Sequence, residues 1–161
     1  MPVLTGTTPS VLTGSFWVTQ SAETKTTYLY DLLSTEPAVV SSWANAGTRW
    51  VASACGDAYL YESDKDTPFS RVVFPEDGVD GGLSSLTCKG CNKTLIFGAS
   101  VDAQFVYVAA PNAGYVRAIP RSGGEAVTLA AGDVWDVIND DDAVYFTTMG
   151  TPAYLGRIAK R

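Results

Sequence analysis

The chain contains no histidine. Histidine is the usual general base near neutral pH and the commonest metal ligand, so its absence removes much of the familiar catalytic chemistry. A Ser–His–Asp arrangement is excluded with it. Carboxylates remain, and a pair of them would suit glycoside hydrolysis. Asp57, Glu62, Asp136, Asp140, Asp141 and Asp142 are the candidates, yet no spacing singles out two of them. The expectation is a protein that is not an enzyme and carries no cofactor and no metal. Asn139-Asp140-Asp141-Asp142 is an oxygen-rich loop of the kind calcium favours, but the D-x-D-x-D-G pattern is missing. Aspartate also stabilises tight turns, which is the simpler reading.

Three cysteines are present: Cys55, Cys88 and Cys91. Cys88-Lys89-Gly90-Cys91 is a C-x-x-C, but a closed zinc site wants four nitrogen or sulfur ligands. Redox work of the thioredoxin kind needs a βαβ setting. The spacing therefore points to a disulfide in an exported protein, either Cys88–Cys91 or one of the two with Cys55. Asn92-Lys93-Thr94 is a glycosylation sequon, meaningful only in a eukaryotic secretory route. Trp17, Trp50 and Trp135, among four Trp and eight Tyr, are the candidate ligand contacts, because sugars and peptides stack on aromatic faces. Packing is the competing explanation for Trp50 and Trp135, which recur at one place in a repeat.

That repeat is what must position any site. Val106-Tyr107 returns as Val144-Tyr145, 38 residues on, and Ile119-Pro120-Arg121 returns as Ile158-Ala159-Lys160. Weaker copies lie upstream, with anchors at Phe16, Tyr59, Val106 and Val144 spaced by 43, 47 and 38. Trp50 and Trp135 stand nine residues before their anchors, with Phe97 at that offset in the third unit. Within the third unit, strands are expected over 94–100, 105–110, 115–120 and 126–130. They are cut by Asp102-Ala103, Pro111-Asn112-Ala113-Gly114 and Ser122-Gly123-Gly124, residues that accept positive φ, fix φ or bond their own backbone. The last unit shows strands over 134–139, 143–148 and 154–159 and no fourth. The best helical window, 31–46, is interrupted by Pro37, so no long helix is expected.

Four-stranded units of ~40 residues in tandem are the mark of an all-β fold of the propeller type, whole or partial. The blades are expected at 7–46, 47–93, 94–132 and 133–161, with residues 2–6 completing the last. Pro2-Val3-Leu4-Thr5-Gly6 is similar to the fourth-strand phrase Ala126-Val127-Thr128-Leu129-Ala130. The string Val106-Tyr107-Val108 … Gly114-Tyr115-Val116-Arg117-Ala118-Ile119-Pro120-Arg121 … Gly123-Gly124-Glu125-Ala126-Val127-Thr128-Leu129-Ala130 resembles bacterial propeller repeats of the myxobacterial type. These are related to YWTD-type and NHL-type blades and read approximately VYWTN…GTVMRVPKAGGTPVTLA. The match is good over 101–161 and loose over 1–93. Such families usually carry six to eight blades and host binding modules, sensors and enzymes alike. Two enzyme classes on similar propellers, the streptogramin lyases and the peptide-amidating lyases, rest on histidines and find no counterpart here.

Composition narrows the role. Hydrophobic residues make up 46% and charged residues 17%, which suits a folded domain outside the cytoplasm, extracellular or periplasmic. Net charge is −6 with eleven scattered basic residues, an argument against nucleic acid and anionic membranes. No apolar run reaches the ~20 residues of a membrane span, and no signal peptide is visible. The expected role is a non-enzymatic binding domain for a protein, peptide or glycan. A lectin-like propeller and a structural, self-assembling propeller fragment are the alternatives. Three arrangements stay open: a closed four-bladed ring, a half-ring pairing with a second copy into an eight-bladed homodimer, and a fragment of a longer protein.

Overall fold

The computed structural model describes residues 10–21, 23–33, 38–44, 48–54, 57–62, 69–74, 81–89, 91 and 95–160. Residues 2–6, Cys55, the sequon at 92–94 and the acidic stretches at 64–66 and 76–80 lie outside them. The described chain is mostly strand. Blade 1 holds β1 (Ser10–Thr13), β2 (Phe16–Ser21), β3 (Thr26–Asp31) and β4 (Ala38–Ala44). Blade 2 holds β5 (Thr48–Ala54), β6 (Asp57–Glu62), β7 (Phe69–Val73) and β8 (Gly82–Leu86). A short β9 (Cys88–Lys89) follows. Blade 3 holds β10 (Gly98–Val101), β11 (Phe105–Ala110), β12 (Tyr115–Pro120) and β14 (Val127–Ala131), with β13 (Gly124–Glu125) before the last. Blade 4 holds β15 (Val134–Asn139), β16 (Ala143–Thr148) and β17 (Leu155–Ala159). Every blade is an antiparallel meander in chain order.

Consecutive blades pack through their first strands, β1 on β5, β5 on β10 and β10 on β15. Period-two alternation then gives each strand one face toward the preceding blade and one toward the following blade. Three apolar clusters fill the junctions. Val18 and Leu29 meet Ala58, Leu60 and Val72 between blades 1 and 2. Tyr59, Tyr61, Phe69 and Leu86 meet Val101, Val106, Val108 and Ile119 between blades 2 and 3. Tyr107, Ala109, Val116 and Ala118 meet Val134, Val137 and Val144 between blades 3 and 4. The last junction is tight, for a Cβ on Gly98 would stand 2.7 Å from the Cα of Asp136.

Several details depart from the sequence reading. The first strand of blade 3 starts at Gly98, not residue 94. β9 pairs in parallel with β13, clipping the segment that leaves blade 2 onto blade 3. Gly124 donates to Thr87 O at 2.9 Å beside this pair. Cys88 and Cys91 are joined by a disulfide that packs against the cluster between blades 2 and 3. Cys55 lies outside the described residues.

The anchors of the first two units shift by one residue. Arg121 N–H donates to Gln104 O, Lys160 N–H to Asp142 O and Leu32 N–H to Ser15 O, each at 2.9 Å. Trp17, not Phe16, is therefore the counterpart of Val106 and Val144. In blade 2, Ala58 pairs with Val72 as Val106 pairs with Ile119 and Val144 with Ile158, so Ala58 replaces Tyr59. A one-residue slip reverses the face a side chain occupies, which is why Tyr59 points forward to blade 3 while Val106 points back.

Candidate functional site

Between blades 3 and 4 lies a cavity of about 600 Å³, within the usual size range of ligand sites. Phe105, Tyr107, Ala118, Val127 and Leu129 line it from blade 3, and Val144 and Ile158 from blade 4. The reason it opens is topological. β14 is the fourth strand of blade 3, and no fourth strand covers the corresponding edge of blade 4 among the described residues. Val127 is consequently 55% exposed. β17 is the outer strand of its sheet among the described residues, and the backbone groups on such an edge are a template for pairing with another extended segment.

One end of the cavity is polar. The Asp102 carboxylate caps its own turn, accepting at 2.8 Å from the backbone N–H of Gln104 and of Phe105 through Oδ1. Its Oδ2 accepts from the Tyr107 hydroxyl at 2.7 Å and pairs with Lys160 Nζ at 2.6 Å. Burial pushes the Asp102 carboxyl up, but the bonds from Lys160, Tyr107 and the two backbone N–H groups outweigh it and hold it at about 2. Tyr107 is raised well above the ordinary phenol value by burial and by its bond to Asp102. It thus stays a hydroxyl donor across all ordinary pH. Lys160 also donates to Asp140 O at 2.5 Å and lies 5.4 Å from the Tyr107 ring centre.

The same device stands one junction earlier. Arg121, which the repeat equates with Lys160, donates through Nε to the Tyr59 hydroxyl at 2.7 Å and through Nη1 to Asp102 O at 3.1 Å. Its Nη2 pairs with Asp57 Oδ2. Asp57 also receives Arg71 Nε at 2.8 Å and is 6% exposed. The cation that ends the third strand of a blade thus ties its own first turn to a carboxylate and a tyrosine of the blade before. At the first junction the equivalent position is Phe74, and its ring stacks on Phe16 with centres 5.0 Å apart. The sequence reading missed this device, although the recurrence of Arg121 as Lys160 was its visible signal.

The aromatic candidates are dispersed over separate blades. Trp135 lies on β15 and packs against Phe97 at 4.5 Å, so two residues at one repeat offset meet across adjacent blades. Trp135 remains 41% exposed. Trp17 lies on β2 beside its cross-strand partner Tyr30 at 5.3 Å. Trp50 lies on β5 opposite Tyr61, and its side chain is outside the described residues. Of the acidic candidates, Asp57 is held in ion pairs with Arg71 and Arg121. Asp140 caps its own turn, accepting from the N–H of Asp142 at 2.9 Å and of Ala143 at 2.8 Å. Asp136 Oδ1 accepts from Val137 N–H at 2.8 Å.

No protein-family model and no curated protein matches the chain. Solved structures do. The computationally designed Ika4 protein is similar over 98% of this chain and 93% of its own, with a TM-score of 0.68 and 12% identity. The Cps50 (Swd1) β-propeller domain of Myceliophteria thermophila is similar over 96% of this chain, with a TM-score of 0.72 and 13% identity. A chain of a nidogen/laminin complex is similar over 91%, with a TM-score of 0.60 and 13% identity. This chain spans 54% and 56% of the last two, about half their length. Likeness at such identity shows the fold: an all-β propeller arrangement of blades.

Proposed function

We propose that the protein is a non-enzymatic interaction module that accepts an extended apolar segment along the free edge of β17, with alternate side chains entering the cleft beside it. The observation that carries the reading is blade 4, three-stranded among the described residues, standing next to an apolar cavity. Strand addition to a sheet edge is a recurrent mode of peptide recognition: main-chain bonds supply affinity and pockets for alternate residues supply selectivity. β17 is five residues long, so the segment it pairs with is of that order. Residues 2–6, similar in sequence to the fourth-strand phrase of blade 3, are one such segment. Solved propellers of similar fold support an interaction role by analogy only.

The polar end supports a binding function over a catalytic one. A general acid or base works best with a pKa near the working pH. Asp102 is held far below it and is already saturated by Tyr107, Lys160 and backbone donors. The Cys88–Cys91 disulfide supports an exported setting, since such bonds persist in oxidising compartments. Titration of a labelled peptide with the sequence of residues 124–132 tests the reading, with the chain and with a form beginning at Ser10. Binding is expected at roughly 10–100 μM, the range of a small extended contact, and Ile158→Asp is expected to abolish it. Equal binding to the Asp variant, or none to either form, would sink the proposal.

A further inference from the structure

The first strands of blades 3 and 4 begin with the same irregularity. In blade 4, Val134 pairs with Thr148 and Asp136 with Thr147, so Trp135 is an extra residue between them. In blade 3, Phe97 N–H donates to Ala109 O at 3.1 Å while Gly98 pairs with the same Ala109. Each is a bulge, two residues set against one, and Phe97-Gly98 and Trp135-Asp136 are equivalent in the repeat. A bulge at the end of a sheet re-aims side chains. Here both bulges turn toward the shared junction. The Trp135 and Phe97 rings meet with centres 4.5 Å apart and planes tilted by 45°. The Asp136 carboxylate lies over Gly98, where a Cβ would stand 2.9 Å from its Cγ. Glycine leaves the room that the carboxylate occupies. Consecutive residues of one blade thus reach consecutive residues of the other, and two rings and a carboxylate stand side by side.

All three groups meet water. Phe97 is 45% exposed and Trp135 41%, and Asp136 is exposed as well. Aromatic faces attract cations through the ring quadrupole. Among the described residues the cations stack elsewhere: Arg117 over Tyr115, Arg121 over Tyr59, Arg157 over Tyr145 and Lys160 over Tyr107. The ion pairs of those residues are likewise made to Asp57 and Asp102, not to Asp136. We infer that Phe97, Trp135 and Asp136 form a binding site for a small quaternary ammonium compound. Hydrogen bonding decides the class of cation. Asp136 Oδ1 already accepts from Val137 N–H at 2.8 Å, and a guanidinium fork wants both oxygens of a carboxylate. A primary ammonium is strongly hydrated and brings three donors, for which the site offers one open oxygen. A quaternary ammonium has no N–H to satisfy, and its alkyl surface suits ring faces. The net charge of −6 draws any cation toward the chain. The site is separate from the cleft beside β17, which none of the three residues lines.

Titration with choline tests the site, followed by the Trp135 indole N–H resonance, which is assigned by its loss in Trp135→Phe. The control is the uncharged isostere of choline, in which carbon replaces the nitrogen. Choline is expected to shift the resonance saturably with a Kd of about 1–10 mM, and the isostere to bind at least about tenfold more weakly. Asp136→Asn keeps the shape and removes the charge, and should weaken choline about three- to tenfold. Phe97→Leu should weaken it by a similar factor, and an unchanged urea midpoint shows that each variant keeps the fold. The comparison of choline with its isostere uses the native chain, so it decides whatever the variants do. Equal shifts by the two would mean an apolar patch only, and the inference falls. It falls equally if choline leaves the resonance unmoved, or if a folded Asp136→Asn binds choline as the native chain does. A peptide carrying trimethyllysine that binds more than about tenfold tighter than choline would make this a protein-docking surface, and would overturn the assignment to a small molecule.

Discussion

The first and last junctions of this chain solve one packing problem with opposite chemistry. Between blades 1 and 2, the residue closing the third strand is Phe74, and it stacks on Phe16. Between blades 3 and 4, the same place holds Lys160, which pairs with Asp102 under the Tyr107 hydroxyl. The apolar solution is non-directional and gains roughly in proportion to the area it removes from water. The polar solution gains little net energy near the surface, yet it demands one partner geometry, and a cavity of about 600 Å³ lies beside it. A junction that is sealed and one that is specific are therefore not interchangeable, and the specific kind lies beside the open edge.

The middle junction sharpens the contrast, because there the polar device is buried. Asp57 is 6% exposed and is held by Arg71 and Arg121. Removing one partner of a buried pair leaves the other charge uncompensated, at a cost of several kcal/mol. Asp57→Ala is expected to lower unfolding stability by about 3 kcal/mol, the largest single effect here, as read by urea titration. A loss under about 1 kcal/mol would show that the pair behaves as a surface bridge, and the distinction between the two polar junctions would fall.

Gly98 offers a way to break the last junction without touching its charges. Any side chain there drives a carbon to 2.7 Å from the Cα of Asp136 and into contact with its carboxylate. The obstacle is backbone of the neighbouring blade, which cannot rotate away. Gly98→Ala should cost about 2 kcal/mol by overpacking, and should raise hydrogen exchange in β15 and β16 before it does so in β2 and β3. Uniform exchange across both ends would mean that the blades unfold as one unit and the junctions do not matter separately.

How much of this was legible in the residues follows from what each signal encodes. Turn residues and β-branched runs marked β11, β12, β15 and β16 closely, because those signals act within one strand. Register between distant units was legible only to within a residue. Phe16-Trp17 and Ala58-Tyr59 offer two aromatic or apolar neighbours each, and nothing local says which one faces forward. The junction device was half visible: the return of Arg121 as Lys160 and of Tyr107 as Tyr145 lay in the repeat, but its meaning required neighbouring blades to be placed side by side. The cavity was invisible, since it is made by a strand that blade 3 has and described blade 4 lacks. One large ring looks the same in a sequence whether it packs or binds, so the residues alone do not sort Trp17, Trp50 and Trp135 between the two.

The smallest effect separates the two junctions by acid. Asp102 is held at about 2 in the folded protein, below the ordinary value of about 4 for the unfolded chain. A carboxyl depressed by folding stabilises above its unfolded value and loses that contribution as pH falls through its folded value. The contribution of the last junction should therefore fade between about pH 4 and about pH 2. Because the Asp102–Lys160 pair lies near solvent, Lys160→Met should cost at most about 1 kcal/mol at neutral pH. Its telling consequence is the flattening of acid sensitivity in that window. Phe74→Leu at the first junction alters packing and no charge, so it should lower stability by a similar amount at every pH. Parallel pH–stability curves for the two variants would show that Asp102 and Lys160 act only by filling space, and the polar junction would then be no different in kind from the aromatic one.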